Sequence, residues 1–235
     1  MPKKDDIEQA AITRAIDLRD IDPSPFQHRK IFDSDKLKEL AASIQRDGLI
    51  APILVRPVGN RFELIAGERR FRAIRDHTDR LTILARIVEV DDRGARRKSA
   101  TENLQREDLT VFETIETVVD FVDAELIEDR EYASMEKTPV DRLKTLLGQL
   151  DSVRSSQSRG SEVSNISKAL FHKFVEQVEG IFKNLPKPLE WLSFYNNDLP
   201  MLLSTCKEVQ DASIKHNLNK SQIKALEKLK KVSEN

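Results

Sequence analysis

Cysteine is almost missing from this 235-residue sequence: Cys206 stands alone. A single thiol closes no internal disulfide, so covalent cross-links within the chain are excluded as a source of stability. The four histidines are scattered and give no metal-ligand spacing. Cys206 sits in an apolar stretch and reads as a small buried side chain suited to a reducing cytosol. Aromatic residues are few, at 6%, while charged residues reach 34%, which predicts a very soluble chain with polar helix faces. Net charge is also lacking: 39 basic against 40 acidic residues leave −1, so global electrostatics do not announce a nucleic-acid binder. No apolar run approaches membrane-spanning length. The first six residues, Met-Pro-Lys-Lys-Asp-Asp, lead into no apolar core, which argues against a secretory signal. A cytoplasmic location is expected.

What is present is unevenly spread. Residues 61–106 are rich in arginine, and residues 113–136 are acidic. The arginine-rich segment is either a phosphate-binding surface or a solvated helix face, and charge alone does not separate the two. The organisation predicted from patterning begins with a polar, mobile tail over residues 1–16 and a short strand over 18–21. Asp22-Pro23-Ser24-Pro25 ends that strand, because proline can continue neither a helix nor a ladder. A helix follows, capped by Asp33 or Ser34, with Leu37, Leu40, Ala41 and Ile44 at helical spacing and Gly48 at its stop. Residues 53–55 and 62–65 read as strands joined by a turn over 57–60. Then come a helix over 68–76, a strand over 81–90 and a helix over 93–104. This alternation predicts a small mixed α/β domain over residues 17–109.

The remainder, 110–235, reads as an all-α domain. Thr110 and Glu113 form a capping box ahead of an apolar stripe of Phe112, Ile115, Val119, Val122 and Leu126. Residues 151–164 are serine-rich and aperiodic, and are expected to be a flexible linker. Helix resumes from Ile166 to Ile181 and breaks at Pro186 and Pro188. Short helices are expected over 189–195, 206–216 and 221–232.

Three constellations carry chemistry. The first is Gly67-Glu68-Arg69-Arg70-Phe71-Arg72, where a strand delivers the chain to a glycine and a helix begins. A glycine lets backbone approach a ligand closely, a helix start offers unpaired N–H groups and a positive dipole end, and guanidinium forks match phosphate oxygens. The bland alternative is a surface helix whose arginines pair with Glu63 and Asp76. The second is Glu102-Asn103 with Gln105 and Arg106. One carboxylate, one amide oxygen and phosphate oxygens suit Mg²⁺; the alternative is a helix end in which Asn103 is a cap and Glu102 pairs with Lys98. The third is Gln27-His28-Arg29 on the loop after the proline turn. Glutamine offers a donor and an acceptor, and His28 is most simply an exposed loop side chain.

In their order and spacing along the chain, from Gln27 through Gly67 to Glu102, these motifs resemble the ParB family of partition proteins. Gly-Glu-Arg-Arg-x-Arg-Ala and Glu-Asn-x-Gln-Arg are reproduced in full, and the pattern Leu37-x-x-Leu40-Ala41-x-Ser43-Ile44 with Gly48-Leu49-Ile50-Ala51-Pro52-Ile53 lies between Gln27-His28-Arg29 and Gly67. Gln27-His28-Arg29 departs from the family, with His28 standing where proline is usual. The resemblance spans about residues 17–112. It implies a ParB/sulfiredoxin-like mixed α/β domain followed by an all-α helix-turn-helix-type DNA-binding domain. By resemblance, Gln27 and Arg29 line a CTP pocket, with Gln27 near the attacked phosphate as a catalytic candidate. Gly67, Glu68, Arg69, Arg70, Arg72, Gln105 and Arg106 then hold the triphosphate, and Glu102 and Asn103 hold Mg²⁺. The implied function is a CTP- and Mg²⁺-dependent DNA sliding clamp and weak CTPase that loads at a centromere-like site of a plasmid or chromosome.

The helical half matches the family less closely. The segment 109–113 lacks the usual proline, and the serine stretch falls where a tight motif is expected. Residues 192–203 and 219–226 recover some likeness to the recognition helix and its successor. Lys187, Ser193, Tyr195 and Asn196 are therefore the DNA-contact candidates, while Trp191, Phe194 and Leu199 equally suit an ordinary helical core. The resemblance further implies that the tail (Lys3, Lys4, Arg14, Arg19) meets a ParA-type ATPase, that the N-terminal domains self-associate on CTP, and that the protein is nucleoid- or plasmid-associated. The chain ends at Asn235, short of the family's usual C-terminal dimerisation domain, so dimerisation by that route is not expected.

Two other functions compete. One is a nuclease or ATPase on the same fold, disfavoured because a metal nuclease needs several converging carboxylates. A sulfiredoxin-type reaction would need a cysteine at the phosphate loop, and Cys206 is far from it in sequence. The other is a DNA-binding regulator that ignores nucleotide.

Overall fold

The computed structural model describes residues 12–26 and 32–233. The chain divides into two compact units, Met1–Ser99 and Ala100–Asn235, ten residues earlier than the boundary expected from patterning. The reason is local. Helix α3 (Asp92–Leu104) crosses the division, and its Ala100 and Leu104 are buried in the core of the second unit.

The first unit is built on a five-stranded mixed sheet. Its strands are β1 (Ile12–Asp17), β2 (Ile21–Asp22), β3 (Ile53–Val58), β4 (Arg61–Ala66) and β5 (Thr82–Ile87), in the order β1-β5-β3-β4-β2. β1 and β5 are antiparallel, with Ile16 opposite Ile83; β5 and β3 are parallel; β3 and β4 form a hairpin through Gly59 at φ 58°. Ile16, Ile53, Val55, Leu64, Ile83 and Ala85 form one apolar cluster with Leu37, Ala41 and Ile44 of α1 (Ser34–Asp47) and with Phe71 and Ile74 of α2 (Glu68–His77). The start of α1 follows the expected chemistry: the Asp33 carboxylate accepts from the N–H groups of Asp35 and Lys36, and Gly48 closes the helix at φ 81°.

Two expectations need correction here. The mobile tail assigned to residues 1–16 does not hold over Ile12–Asp17, which is strand β1. The short polar sequence Ile-Thr-Arg-Ala-Ile-Asp buries little more than Ile16, and backbone pairing with β5 orders it. The short strand expected over 18–21 is a 3-10 turn, Leu18–Asp20, whose start is capped by the Asp17 carboxylate, followed by the two-residue β2.

The second unit is helical: α4 (Val111–Leu126), α5 (Arg130–Met135), α6 (Pro139–Ser158), α7 (Asn165–Lys183), α8 (Trp191–Ser193), a π-helical turn (Phe194–Asp198), α9 (Leu199–Ser204), α10 (Lys207–His216) and α11 (Lys220–Ser233). The Thr110/Glu113 capping box is fully formed: Glu113 Oε2 accepts from the Thr110 N–H at 2.9 Å and from its hydroxyl at 2.8 Å. The flexible linker expected over residues 151–164 is contradicted in its first half, because α6 continues to Ser158. Leu143, Leu146, Leu147, Leu150 and Val153 supply a buried stripe strong enough to carry the serines along. The break is confined to residues 159–164, with Gly160 at φ 67°.

At the centre of this unit Asp123 of α4 is fully buried. Arg142 of α6 grips it with Nε and Nη2 at 2.9 and 3.0 Å, and the Tyr132 hydroxyl of α5 donates to it at 2.9 Å. Arg142 also donates to the backbone carbonyls of Glu136 and Lys137 at 3.1 and 2.7 Å, tying the α5–α6 connection to α4. Burial pushes the Tyr132 phenol above its ordinary titration range, with the Asp123 charge beside it acting in the same direction.

Candidate phosphate-binding site and DNA-contact region

Strand β4 carries the chain to Gly67, which adopts φ 99° and opens α2. A side chain is excluded there twice over. L-residues avoid that backbone region, and a Cβ would lie 2.8 Å from Ile53 Cγ2 and 3.0 Å from Arg70 Nη2. The glycine therefore serves packing against β3 as well as any ligand approach.

Glu68, the first residue of α2, is buried to 5% exposure. Its Oε1 accepts from Arg72 Nε at 2.6 Å, while its Oε2 is buried with no hydrogen-bond partner. A buried carboxylate oxygen left unmet is costly, so this half of the group is available to a donor or a cation. Arg72 lies with its guanidinium 4.1 Å above the Phe32 ring, a stacking partner that the sequence reading did not identify. Arg70 Nη1 donates to the carbonyls of Ala51 and Pro52 at 2.7 and 2.9 Å, gripping the segment that leads into β3. Arg69 is half-buried. The carboxylates of the bland alternative pair with other arginines: Asp76 pairs with Arg75 at 2.7 Å, whose hydrogen bonds hold its carboxyl below the usual range. Glu63 pairs instead with the buried Arg56 of β3 at 2.8 Å.

Gln27, His28 and Arg29 lie outside the described residues. In the second unit, Glu102 is half-buried and Asn103 buried, both on the last turn of α3. Gln105 is exposed beyond the helix end. Arg106 forms a two-pronged bond to Asp108, at 3.0 and 3.1 Å, and its N–H returns to the Asn103 carbonyl at 3.0 Å. No cluster of three or more potential His, Cys, Asp or Glu metal ligands occurs among the described residues.

Of the DNA-contact candidates, Lys187 is exposed and its ammonium donates to the Arg106 backbone carbonyl at 2.7 Å. Ser193 is exposed at the end of α8, and its carbonyl accepts from the Asn197 side chain at 3.0 Å. Tyr195 and Asn196 stand on the π-helical turn and line a cleft of about 340 Å³ with Lys144, Leu199 and Leu203. Tyr195 also explains Gly148 in mid-helix: a Cβ there would meet the tyrosine hydroxyl at 3.0 Å. Trp191, Phe194 and Leu199 are buried, so they belong to the core. No helix among the described residues is long and apolar enough to cross a membrane.

A mixed sheet with a glycine-opened, arginine-rich helix start, followed by a helical unit, defines an α/β domain joined to an all-α domain. Residues 1–104 match the family model of the ParB N-terminal domain. It is similar to the probable chromosome-partitioning protein ParB of Campylobacter jejuni, 41% identical over 120 residues, covering 51% of this chain and 43% of that protein. Similarity also extends to the chromosome-partitioning protein Spo0J of Thermus thermophilus, 47% identical over 96 residues, covering 41% and 35%. The nucleoid occlusion protein of Geobacillus kaustophilus is 46% identical over 101 residues, covering 43% and 36%. The aligned segments thus span less than half the length of these relatives. Among solved structures, the C-terminally truncated ParB of Caulobacter crescentus complexed with CTP-gamma-S is 26% identical, covering 71% of this chain and 98% of that one, at a TM-score of 0.38.

Proposed function

We propose that this chain is a partition protein of the ParB type, in which CTP and Mg²⁺ switch the N-terminal domain and the helical domain holds DNA. The observation that carries the reading is the start of α2. Gly67 and the arginines of the family motif flank Glu68 in the chain, and the buried Oε2 of Glu68 lacks a partner. Arg69, Arg70 and Arg72 would meet the triphosphate, with Gly67 and Glu68 at its base and Gln105 and Arg106 contributing from beyond α3. Glu102 and Asn103 fit Mg²⁺ as a donor set, since that ion takes one or two protein oxygens and completes its shell with phosphate oxygens and water. Gln27 and Arg29 complete the pocket in this reading, and Gln27 is the candidate for positioning an attacking water.

The nucleotide acts here as a switch: the conformation that satisfies its contacts is populated when it binds. Self-association of the N-terminal domains, closure around DNA after loading at a centromere-like site, and reopening on slow hydrolysis follow from the same reading, as do a ParA-type partner and a place on the nucleoid or plasmid. Lys187, Ser193, Tyr195 and Asn196 are the proposed DNA contacts.

A second reading, a DNA-binding regulator indifferent to nucleotide, draws support from one feature: Arg70, Arg72 and Arg106 each already have partners within their own unit. Calorimetric titration of CTP, with ATP and GTP as controls in Mg²⁺ buffer, separates the two. Selective CTP binding that Arg70→Ala abolishes, in a variant that stays folded, is the expected outcome. Normal affinity in that variant, or no binding by the wild type, removes the nucleotide reading and leaves the regulator. Binding of ATP alone points to an enzyme on this fold.

A further inference from the structure

The net charge of −1 conceals a strong segregation of sign. α4 carries five acidic residues and no lysine or arginine, whereas α11 carries five lysines and one glutamate. Lys220 and Lys230 are engaged inside the helical unit. Lys220 pairs with the buried Asp198. Lys230 pairs with Glu208 of α10 at 2.9 Å and donates to Cys206 Sγ at 3.2 Å. Together with the fully buried Ile223, these contacts fix α11 on its neighbours. Lys224 and Lys228 are different: both are exposed, and neither has an ion-pair or hydrogen-bond partner among the described residues.

Lys224 and Lys228 stand four residues apart, hence on one face and about 6 Å apart along the axis. Lys220 before them and Lys231 after them continue the same row. Like charges at this spacing destabilise a helix, so the exposed Lys224/Lys228 pair carries a small cost that a polyanion would reverse. Duplex nucleic acid is the polyanion that fits a straight row, with a charge about every 1.7 Å of its axis. An anionic membrane fits less well. Helices that lie on lipid present a broad apolar face with aromatic or leucine anchors. The apolar row beside the lysines offers just Ala225, Leu229 and Val232.

We propose that the Lys224/Lys228 face of α11 is a sequence-independent contact for the backbone of duplex nucleic acid. It goes beyond the reading above, because it needs neither a nucleotide in the α/β domain nor a recognition element around Tyr195. Each lysine neutralises one phosphate and releases its counterions, so the contact is read in the salt dependence of binding.

The test is fluorescence anisotropy of a labelled duplex of arbitrary sequence, titrated with the full chain over a series of salt concentrations without nucleotide. The comparison is between wild type, K224Q/K228Q and the control K36Q/K168Q, which removes the same charge from exposed sites elsewhere. Thermal midpoints are recorded for all three, and unchanged midpoints show that the variants fold. The slope of log K against log salt is expected to shrink by about 1.8 in K224Q/K228Q, from about 0.9 per phosphate, and to stay unchanged in the control. Equal slopes for wild type and K224Q/K228Q overturn the proposal, and so does an equal reduction in the control. Wild type that binds vesicles containing phosphatidylserine but no duplex also overturns it, assigning the face to lipid. Because nucleotide is absent throughout, a failure of CTP binding leaves this result intact.

Discussion

In the helical unit, Asp123 has both carboxylate oxygens met: Arg142 holds them with two bonds, and the Tyr132 hydroxyl adds a third. In the α/β unit, Glu68 is almost as deeply buried and also faces an arginine, yet it receives one bond on Oε1 and none on Oε2. Burial and an arginine neighbour are common to both. Completeness is what differs. A carboxylate whose acceptor capacity is filled by its own chain joins helices together, as Asp123 joins α4 to α5 and α6. A carboxylate left half-met at a helix start has chemistry to spare for something that arrives from outside.

The contrast can be broken by removing one acid at a time. Asp123→Asn leaves Arg142 buried against a neutral partner, and loss of one member of a buried pair typically costs about 3–5 kcal/mol. Chemical denaturation of the variant should show a loss of that size, carried by the helical unit. A loss below about 1 kcal/mol would mean that the three-residue network contributes little to holding the helices. Glu68→Gln should behave in the opposite way. The amide can still accept from Arg72 and fills the same volume, so stability is expected to change by about 1 kcal/mol or less, while CTP binding or turnover changes clearly in the calorimetric and phosphate-release assays. Stability loss on the Asp123 scale with unaltered nucleotide behaviour would make Glu68 a second structural acid and erase the distinction.

The smallest effect sharpens the comparison from the exposed side. Glu208 is largely solvent-exposed, and its hydrogen bond from Lys230 lowers its carboxyl from 4.5 to about 2. A depressed carboxylate contributes its stabilisation above the unfolded value and loses it as pH falls through the folded one. The α10–α11 link should therefore hold at neutral pH and fade between about pH 4.5 and 2. An NMR titration of Glu208 should place its midpoint near 2 in the wild type and distinctly higher in Lys230→Gln. Identical midpoints would show that the pair does not persist in solution.

Much of the candidate site was legible because its signals are local. The Asp33 cap, the Thr110/Glu113 capping box and the strand-to-helix junction at Gly67 each depend on residues within a few positions of one another, and all three form as the spacing predicts. What the sequence hid depends on distant partners. Ile12–Asp17 looks like a polar tail until β5, some 70 residues later, supplies its ladder. The serines of α6 look like a linker until Leu150 and Val153 are seen buried beneath them. Asp123 and Arg142 are 19 positions apart, and neither side chain announces the other. Glu68 was read as one member of a motif; its unmet oxygen is visible only once the surrounding packing is known.

Trp191 is the sole tryptophan in the sequence, and it is 5% exposed within the apolar core of the helical unit. Emission excited at the red edge of the protein absorption band therefore originates from that unit, and the α/β unit is dark. A melting curve followed by this emission tracks the helical half, while far-ultraviolet circular dichroism records both halves. Any gap between the two curves measures directly how far the two units unfold independently.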